Sequence, residues 1–377
     1  MKKKIAIIGA GIGGLSLANL LQKNSEFEFI IYEKNETLNL EEGFGLQLAV
    51  NSVSILNQIG FSNINKSEIY NPENLDFYSN EDKICDLDLT QFNSETEKYT
   101  SLKRSSLIKF LKDKLFSNSI RFSKTIESVE QNQDILKIKF EDGDSEEVDY
   151  LVVSDGVFSQ TKSIIEKKFF TTNYYGAVAV RTQIKAKDVP EFKDKNISLV
   201  MSSKVHLVSY PVNDNRDINL VCILRKNRNE KKTIEQLLSE KLVNKNKNLL
   251  SLFKRDLNSW SIYTSSKPIK SVLKKVFYIG DAFYTFPPTL AQGASQSIES
   301  AKELYDLLID NTQNIENIYF EKRLQKTIMI NNRSKLNYFV FHFSNPVLKM
   351  LRDQFLKHLI KSRSFINSYL GKIYYKP

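Results

Sequence analysis

Four glycines near the amino terminus are spaced as in loops that bind the diphosphate of a dinucleotide. They are Gly9, Gly11, Gly13 and Gly14. The β-branched run at residues 5–8 predicts a buried parallel strand before them, and residues 14–23 predict a helix after them. The first glycine permits a tight turn, the second lets the backbone approach the ligand, and the last lets helix and strand pack closely. Phosphate charge then meets free amide hydrogens at the positive end of the helix dipole.

A carboxylate after the next predicted strand extends this pattern. Residues 27–32 predict that strand, and Glu33 follows it at about the 20-residue spacing at which an acidic side chain binds a ribose hydroxyl. Lys34, the next residue, is a further candidate for contact with the same ligand. The pattern fits both FAD and NAD, so the identity of the dinucleotide stays open at this point.

A second carboxylate follows a glycine at a strand end in the carboxy-terminal half. Asp281 comes directly after Gly280 and a strand predicted at residues 276–279. A carboxylate at such a position has little reason to be buried unless it binds a ligand. Four further candidates come before a helix that is predicted from residue 295 to residue 308: Pro288, Gln292, Gly293 and Ala294.

The order of these segments resembles that of FAD-dependent aromatic hydroxylases of the para-hydroxybenzoate hydroxylase type, the group A flavoprotein monooxygenases. In that family the aspartate at the position of Asp281 binds the ribityl chain of FAD. Its DG motif takes part in binding FAD and NAD(P)H. The matching pair here is Asp155-Gly156, after a strand predicted at residues 151–154.

Two other segments match this family. Arg104 matches an arginine near the flavin, and Gly45, within residues 43–48, matches a loop that faces the flavin. The matched motifs extend from residue 5 to residue 301, which is most of the chain. The resemblance therefore implies FAD as the bound dinucleotide, with NADH or NADPH as the reductant.

Within the family, the chain resembles salicylate hydroxylase and 6-hydroxynicotinate 3-monooxygenase most closely, through residues 291–294 and the strand predicted at residues 206–211. In some of those proteins the residues at the positions of His206 and Tyr210 lie at the substrate and assist its deprotonation. Pro288 is expected to form a wall beside the flavin. The residues alone leave open a simpler interpretation, in which His206 and Tyr210 are buried, hydrogen-bonded side chains of a strand.

Three positions depart from the family pattern. Lys162 replaces an arginine of the DG motif, Tyr284 replaces a histidine of the family's GD motif, which is matched here by Gly280-Asp281, and Ser300 replaces an acidic residue. Lysine keeps the positive charge but loses the bidentate geometry of a guanidinium. These departures leave the choice between NADH and NADPH open and allow for a different substrate.

The resemblance implies an oxidoreductase, namely a single-component monooxygenase. NAD(P)H would reduce FAD, and a flavin C4a-hydroperoxide would transfer oxygen to a small phenolic substrate that His206 deprotonates. Two alternatives are open. A ubiquinone-pathway-type hydroxylase or an epoxidase would act on a more apolar substrate, whereas a flavin-binding protein that no longer hydroxylates would serve as a sensor or scaffold.

These elements predict an α/β fold, with a Rossmann-like FAD-binding domain, an inserted antiparallel β-sheet substrate domain and C-terminal helices. The predicted boundaries are residues 1–75, 100–173 and 264–330 for the discontinuous FAD-binding domain, 76–99 and 174–263 for the substrate domain, and 331–377 for the C-terminal helical segment. In the helix predicted from residue 295, Glu299 and Lys302 are expected on the solvated face.

Composition narrows the possible partners. The chain of 377 residues has a formal charge of +10, but its lysines are dispersed, which argues against a nucleic-acid surface. Cys85 and Cys222 lie far apart, without a histidine or cysteine at metal-ligand spacing. No metal site is therefore predicted, and a cytoplasmic location is expected. Glycines interrupt the uncharged run at residues 5–22, which argues against a signal peptide.

Aromatic and basic residues alternate in the helical segment near the carboxy terminus. Membrane contact through such a helix stays an alternative. We expect instead that the aromatic side chains pack onto the chain itself or onto a twin subunit, in a monomer or a homodimer. The apolar residues of this segment include Tyr338, Phe339, Phe341, Phe343, Leu348, Leu351 and Phe355.

Overall fold

A computed structural model of this protein describes residues 2–38, 40, 44–80, 82–170, 172–189, 196–242, 253 and 258–374. The strands are β1 (Lys3–Ile8), β2 (Phe27–Tyr32), β3 (Gly45–Leu48), β4 (Ile69–Tyr70), β5 (Asn74–Ser79), β6 (Asp82–Asp88), β7 (Thr100–Lys103), β8 (Ile120–Arg121), β9 (Ile126–Asn132), β10 (Ile135–Phe140), β11 (Ser145–Val148), β12 (Tyr150–Val153), β13 (Asn173–Lys185), β14 (Ile197–Ser202), β15 (Val205–Val212), β16 (Asp217–Arg225), β17 (Asn258–Thr264) and β18 (Val276–Tyr278). The α-helices are α1 (Ile12–Leu21), α2 (Val50–Asn57), α3 (Arg104–Asp113), α4 (Gln160–Glu166), α5 (Ile234–Leu242), α6 (Gly293–Ile309), α7 (Ile315–Phe341), α8 (Pro346–Leu359), α9 (Arg363–Ile366) and α10 (Lys372–Tyr374).

Five strands form an all-parallel sheet in the order β18-β12-β1-β2-β8. Its central strands are continuous apolar runs because both faces of the sheet are covered. Ile5 and Ile7 of β1 lie in one core with residues of α1, α3 and α6. Ala6 and Ile8 point to the other face, where they pack with Ile138 of the β9–β11 sheet. The strands predicted from the apolar runs are all present.

The strands of this parallel sheet bring the predicted motifs to one edge, because parallel strands share the edge at which they end. The residues that directly follow four of these strands are Gly9, Glu33, Ser154 and Ile279. Asp155 and Gly280 lie one residue further on. Three distant parts of the chain therefore meet beside the loop between β1 and α1.

A second sheet contains seven strands in the order β17-β13-β16-β15-β14-β5-β6. All its neighbouring strands are antiparallel except β5 and β14, which run parallel. The parallel pair arises because β5 comes from a distant part of the chain, so no short hairpin joins it to β14. One face of the sheet packs against α5 through residues such as Leu220, Leu224 and Leu238. The other face borders a cavity.

The carboxy-terminal helices close that cavity. Residues of α7, α9 and α10 share a core with β5, β6 and β14, which includes Ile330 and Tyr374. The expectation that the aromatic residues of this segment pack onto the chain is met by Tyr338 and Phe341, but Phe339 is 57% exposed and Phe355 is 62% exposed.

Leu348 and Leu351 of α8 are also exposed, so this helix turns only part of its apolar surface towards the protein. Among the described residues, no helix combines the length and the apolar character needed to cross a bilayer. Membrane contact and the oligomeric state stay predictions.

The prediction of a solvated position was wrong for Glu299, which is 3% exposed. Its carboxylate accepts a hydrogen bond from Asn51 at 2.7 Å and pairs with Arg323 of α7 at 3.3 Å. Arg323 also pairs with Glu303 at 3.2 Å. A buried charge needs such partners, and here a different helix supplies the cation.

Candidate active site

The loop between β1 and α1 is shaped by two of its glycines. Gly9 has a φ of +100°, and a Cβ there would lie 2.8 Å from the carbonyl oxygen of Ser154. A Cβ on Gly14 would lie 2.2 Å from the carbonyl oxygen of Gly9, so a larger residue would force the loop and helix apart. At Gly11, by contrast, a Cβ would meet no atom closer than 4.0 Å. No side chain caps α1, so the amide hydrogens of its first turn can bind an anion.

A cavity of about 300 Å³ opens in front of this loop, and we call it the first cavity. Seven predicted cofactor residues line it: Gly9, Gly11, Glu33, Lys34, Arg104, Asp155 and Gly156. Glu33 accepts three hydrogen bonds: one oxygen accepts from the backbone amide of Ala10 at 2.9 Å, and the other accepts from the backbone amide of Asn35 at 3.0 Å and from its side chain at 2.8 Å. A fixed carboxylate with remaining acceptor capacity can bind a hydroxyl group.

Asp155 presents an unsatisfied acceptor to the first cavity. Its Oδ2 accepts a hydrogen bond from the amide of Thr161 at 3.2 Å, whereas its buried Oδ1 has no partner among the described residues. Burial raises the pKa of this carboxyl group above its ordinary value, although hydrogen bonds from Ser159 and Thr161 oppose the rise. An orphaned acceptor of this kind fits a ligand that donates hydrogen bonds.

The residues that depart from the family pattern have structural partners. Lys162 donates to the carbonyl oxygen of Ala282 at 2.6 Å and thereby ties the segment after β12 to the segment after β18. Ser300 accepts a hydrogen bond from the amide of Gly280 at 3.0 Å, which holds the turn before the predicted ribityl-binding aspartate. Tyr284 is buried in the core between these segments and lines neither cavity.

Asp281 lies on the exposed side of that turn. The carboxyl group reaches solvent, but the many protein atoms around it reduce its hydration and raise its pKa to about 6. The positive charge of Arg104 opposes this rise. Gln292 is 1% exposed, and its Nε2 has no partner among the described residues. Both side chains offer polar groups that a ligand spanning the two cavities could satisfy.

Five predicted cofactor residues line neither cavity: Gly13, Gly14, Gly280, Asp281 and Gln292. Gly14 and Gly280 serve close packing, since a Cβ on Gly280 would lie 2.8 Å from Oγ of Ser297. A Cβ on Gly13 would make only an ordinary contact with the side chain of Ile279, at 3.5 Å.

A second cavity of about 520 Å³ lies between the open face of the seven-stranded sheet and helices α7 to α9. Six predicted site residues line it: Gly45, His206, Tyr210, Pro288, Gly293 and Ala294. Most other lining side chains are apolar: Leu75, Phe77, Leu87, Ile197, Leu199, Val208, Val221, Ile223, Leu336, Val340, Phe341, Leu356, Leu359, Ile360, Phe365, Ile366 and Leu370. None of the described lining residues is an aspartate or a glutamate.

Gly45 brings the predicted flavin-facing loop against the sheet. Its amide donates to Oδ1 of Asn219 at 2.7 Å, and a Cβ on Gly45 would lie 2.7 Å from the ring of Tyr210. Gly43, at the start of the predicted loop, lies outside the described residues. The loop also contributes Gln47, whose side chain accepts a hydrogen bond from Tyr99 at 2.8 Å.

Tyr210 is a buried phenol in this wall. Burial raises its pKa, while the positive charge of Arg181 and a hydrogen bond with Gln47 act in the opposite direction. Tyr210 is therefore neutral in the physiological range and can both donate and accept a hydrogen bond.

His206 lies in the cavity wall on β15, as predicted, but its environment differs from that of a typical base. Its Nδ1 lies 2.8 Å from Nε2 of His342, and the residue is 2% exposed. Burial lowers the pKa of His206 to about 3. The imidazole is therefore neutral and accepts protons poorly at neutral pH.

Arg181 of β13 is a site residue that the sequence motifs do not reveal. It is the one lysine or arginine among the described residues that line the second cavity. Its buried Nε has no hydrogen-bond partner among the described residues, and its guanidinium carbon lies 5.6 Å from the ring centre of Trp260. Its place at the cavity follows from the register between β13 and β16. In that register Arg181 is paired with Val221, which also lines the cavity.

Comparisons with known proteins give the context for this geometry. The sequence model of the FAD binding domain family matches residues 2–314. The chain is 22% identical to 3-amino-4-hydroxybenzoate 2-monooxygenase of Streptomyces cremeus, over 93% of this chain and 91% of that protein. Its fold is similar to that of Klebsiella pneumoniae HpxO complexed with FAD and uric acid, with a TM-score of 0.85, 18% identity and coverage of 98% and 96% of the two chains. A salicylate hydroxylase substrate complex gives a TM-score of 0.80, 17% identity and coverage of 100% and 96%.

Proposed function

Since this chain belongs to the FAD binding domain family and is an FAD-dependent monooxygenase related to aromatic hydroxylases, we propose that it hydroxylates a small aromatic acid with NADH or NADPH as reductant. The observation that carries this proposal is Arg181, a cation in a cavity whose described lining is otherwise uncharged. A guanidinium that lines an apolar cavity, without a carboxylate among the described lining residues, favours an anionic ligand. The relative from Streptomyces cremeus is named for an aromatic acid that bears a hydroxyl and an amino group.

The predicted cofactor, FAD, and the predicted fold are confirmed by these comparisons. For the individual contacts we propose that the loop amides hold the diphosphate, Glu33 the adenosine ribose, and Asp281 the ribityl chain. Asp155, with its unsatisfied oxygen, contributes a further acceptor. Bound FAD supplies hydride acceptance from NAD(P)H and activation of O2.

The second cavity supplies the remaining requirements for ring hydroxylation. Its volume of about 520 Å³ lies in the range of about 300–1,000 Å³ that is typical of small-molecule sites. The apolar lining excludes water from the reacting ring. Arg181 fixes one end of the substrate by its charge, and Tyr210 and His206 offer hydrogen bonds to a ring substituent. Pro288 and Gly293 form part of the same wall.

A more apolar substrate is the second candidate, because the many leucine, isoleucine and phenylalanine side chains from α7 to α9 would suit a larger hydrophobic molecule. That substrate would not need Arg181. A protein that binds flavin without hydroxylation would also lack a reason to keep an unpaired cation in this cavity.

The test is NAD(P)H oxidation by the FAD-loaded protein in the presence of matched aromatic pairs. Each pair consists of a hydroxylated benzoate and its methyl ester, which lacks the negative charge and is larger by one methyl group. We expect the acids to stimulate NAD(P)H oxidation and to yield a hydroxylated product. Stimulation by the esters and by apolar phenols alone would favour the second candidate, and no stimulation by any aromatic compound would favour the non-hydroxylating protein.

A further inference from the structure

Three side chains from separate elements form a hydrogen-bonded row that ends at the second cavity. Arg225 of β16 donates from Nε to Nδ1 of His342 at 3.3 Å, and Nε2 of His342 lies 2.8 Å from Nδ1 of His206. Both histidines are 2% exposed. The rings of Tyr338 and Phe341 pack against the two imidazoles and enclose the row.

The chemistry of arginine fixes the positions of the hydrogens along this row. A guanidinium can only donate, so Nδ1 of His342 accepts and carries no hydrogen. Neutral His342 therefore carries its hydrogen on Nε2 and donates it to Nδ1 of His206. Neutral His206 then carries its own hydrogen on Nε2. A second proton on His342 would set N–H against N–H beside a guanidinium, which is electrostatically unfavourable.

We propose that Arg225 and His342 are positioning residues that hold His206 as a hydrogen-bond donor to the substrate, an inference that rests on the proposed function. His206 lines the second cavity, and its Nδ1 is occupied by His342, so its Nε2–H is the group that meets a bound molecule. This donor recognises an acceptor such as a phenolate or carboxylate oxygen. It does not remove a proton from a neutral phenol.

The burial of the row also keeps His206 neutral. Because burial lowers the pKa of His206 to about 3, the ring keeps a single hydrogen throughout the neutral range. The hydrogen-bond pattern then decides which nitrogen carries that hydrogen. Selection of the substrate anion by a fixed donor replaces proton abstraction as the role of His206.

Two substitutions at position 342 separate this proposal from a purely structural role. Glutamine at 342 presents one acceptor and one donor at nearly the spacing of the imidazole nitrogens, so H342Q preserves the pattern from Arg225 to His206. Glutamate has nearly the same shape but only accepts, so H342E keeps the pairing with Arg225 and requires a hydrogen on Nδ1 of His206. The two variants therefore differ in hydrogen-bond direction and in charge at almost constant volume, and the spectrum described below shows which hydrogens His206 carries in each.

The direct measurement is a ¹⁵N solid-state NMR spectrum of the FAD-loaded, substrate-free protein labelled only at histidine. The chain contains three histidines, and H342Q together with a variant of the exposed His358, H358Q, assigns the signals. We expect a protonated Nε2 and an unprotonated Nδ1 for His206 in the wild type and in H342Q, and a protonated Nδ1 in H342E. Since the proposal places the hydrogen on Nε2 of both buried histidines, an H358Q spectrum in which either of them carries it on Nδ1 would overturn the proposal, even if H342Q and H342E do not fold.

A kinetic readout links the tautomer to the substrate. H342E should raise the KM of the hydroxylated acid by about tenfold or more relative to H342Q, because it removes one hydrogen bond to a charged group. Equal KM values in the two variants, together with a changed tautomer, would contradict a role in substrate recognition. The spectrum needs no substrate, so failure of the tautomer assignment and failure of the proposed function are distinguishable.

Discussion

Replacement of Arg181 by methionine tests how the second cavity recognises its ligand. Methionine fills much of the volume of the arginine stem but carries no charge or hydrogen-bond donor. The buried Nε of Arg181 has no partner among the described residues, and the described lining contains no carboxylate, so the change should break no internal ion pair. We expect the variant to fold, to bind FAD and to have an unfolding temperature close to that of the wild type.

The expected loss is confined to anionic ligands. A hydrogen bond to a charged group contributes about 1.5–3 kcal/mol, which corresponds to a factor of about 10 to 150 in affinity. The KM of the hydroxylated benzoate should rise by that factor, while the KM of its methyl ester should change by less than about threefold. For the hydroxylated benzoate, the KM of Arg181→Lys should lie between those of the wild type and Arg181→Met, because lysine keeps the charge but not the planar geometry of a guanidinium.

The assay is NAD(P)H oxidation with product analysis, and Arg228→Met is the matched control. Arg228 is exposed and lines neither cavity, so its removal reports the effect of net charge alone. An equal rise in KM for the acid and the ester in Arg181→Met, or an unchanged KM for both, would refute the assignment of Arg181 as an anion site.

Three further predictions concern the cofactor site and the core. Gly14→Ala should yield protein that retains little or no FAD, because its Cβ would lie 2.2 Å from the carbonyl oxygen of Gly9, and a normal flavin absorbance per chain would contradict this. Asp281→Asn should make the FAD-free protein more heat-resistant at pH 7 and weaken FAD binding. The folded pKa of about 6 exceeds the unfolded value, so the carboxyl group costs stability as the pH rises from about 4 to about 6, and the advantage of the variant should shrink at pH 5. Glu299→Ala should lower the free energy of unfolding by about 1–3 kcal/mol in urea titrations, since Arg323 loses one buried carboxylate partner but keeps Glu303, whereas a change below about 0.5 kcal/mol would show that the ion pair adds little.

Much of the parallel sheet and the cofactor site could be predicted from the sequence. The apolar residues of β1, β12 and β18 are mostly buried, and this burial accounts for their continuous apolar runs, whereas β2 keeps the exposed Glu28. Parallel strands end at one edge, so Gly9, Glu33 and Asp155 had to meet once the strands were identified. The DG and GD motifs were identified from the types and spacing of neighbouring residues, so no knowledge of the tertiary structure was needed to find them.

The second cavity was harder to predict because elements that are distant in the sequence form it. Arg181 sits in an alternating strand, and no local pattern shows which face of that strand meets the cavity. The contact between His206 and His342 joins two residues that are 136 positions apart, and this contact is the basis of the proposal that His206 is a donor and not a base. Glu299 likewise depends on a cation from another helix. In each case the decisive partner is remote in the sequence.

The most direct test of the proposed activity is incorporation of ¹⁸O from labelled O2. The FAD-loaded protein would be mixed with NAD(P)H and either 3-amino-4-hydroxybenzoate or its methyl ester, and the products would be weighed by mass spectrometry. We predict one ¹⁸O atom in the new hydroxyl group on the ring of the acid product, and much less labelled product from the ester. Oxidation of NAD(P)H without label in any aromatic product, or equal labelling of acid and ester, would contradict an aromatic-acid hydroxylase that binds its substrate through Arg181.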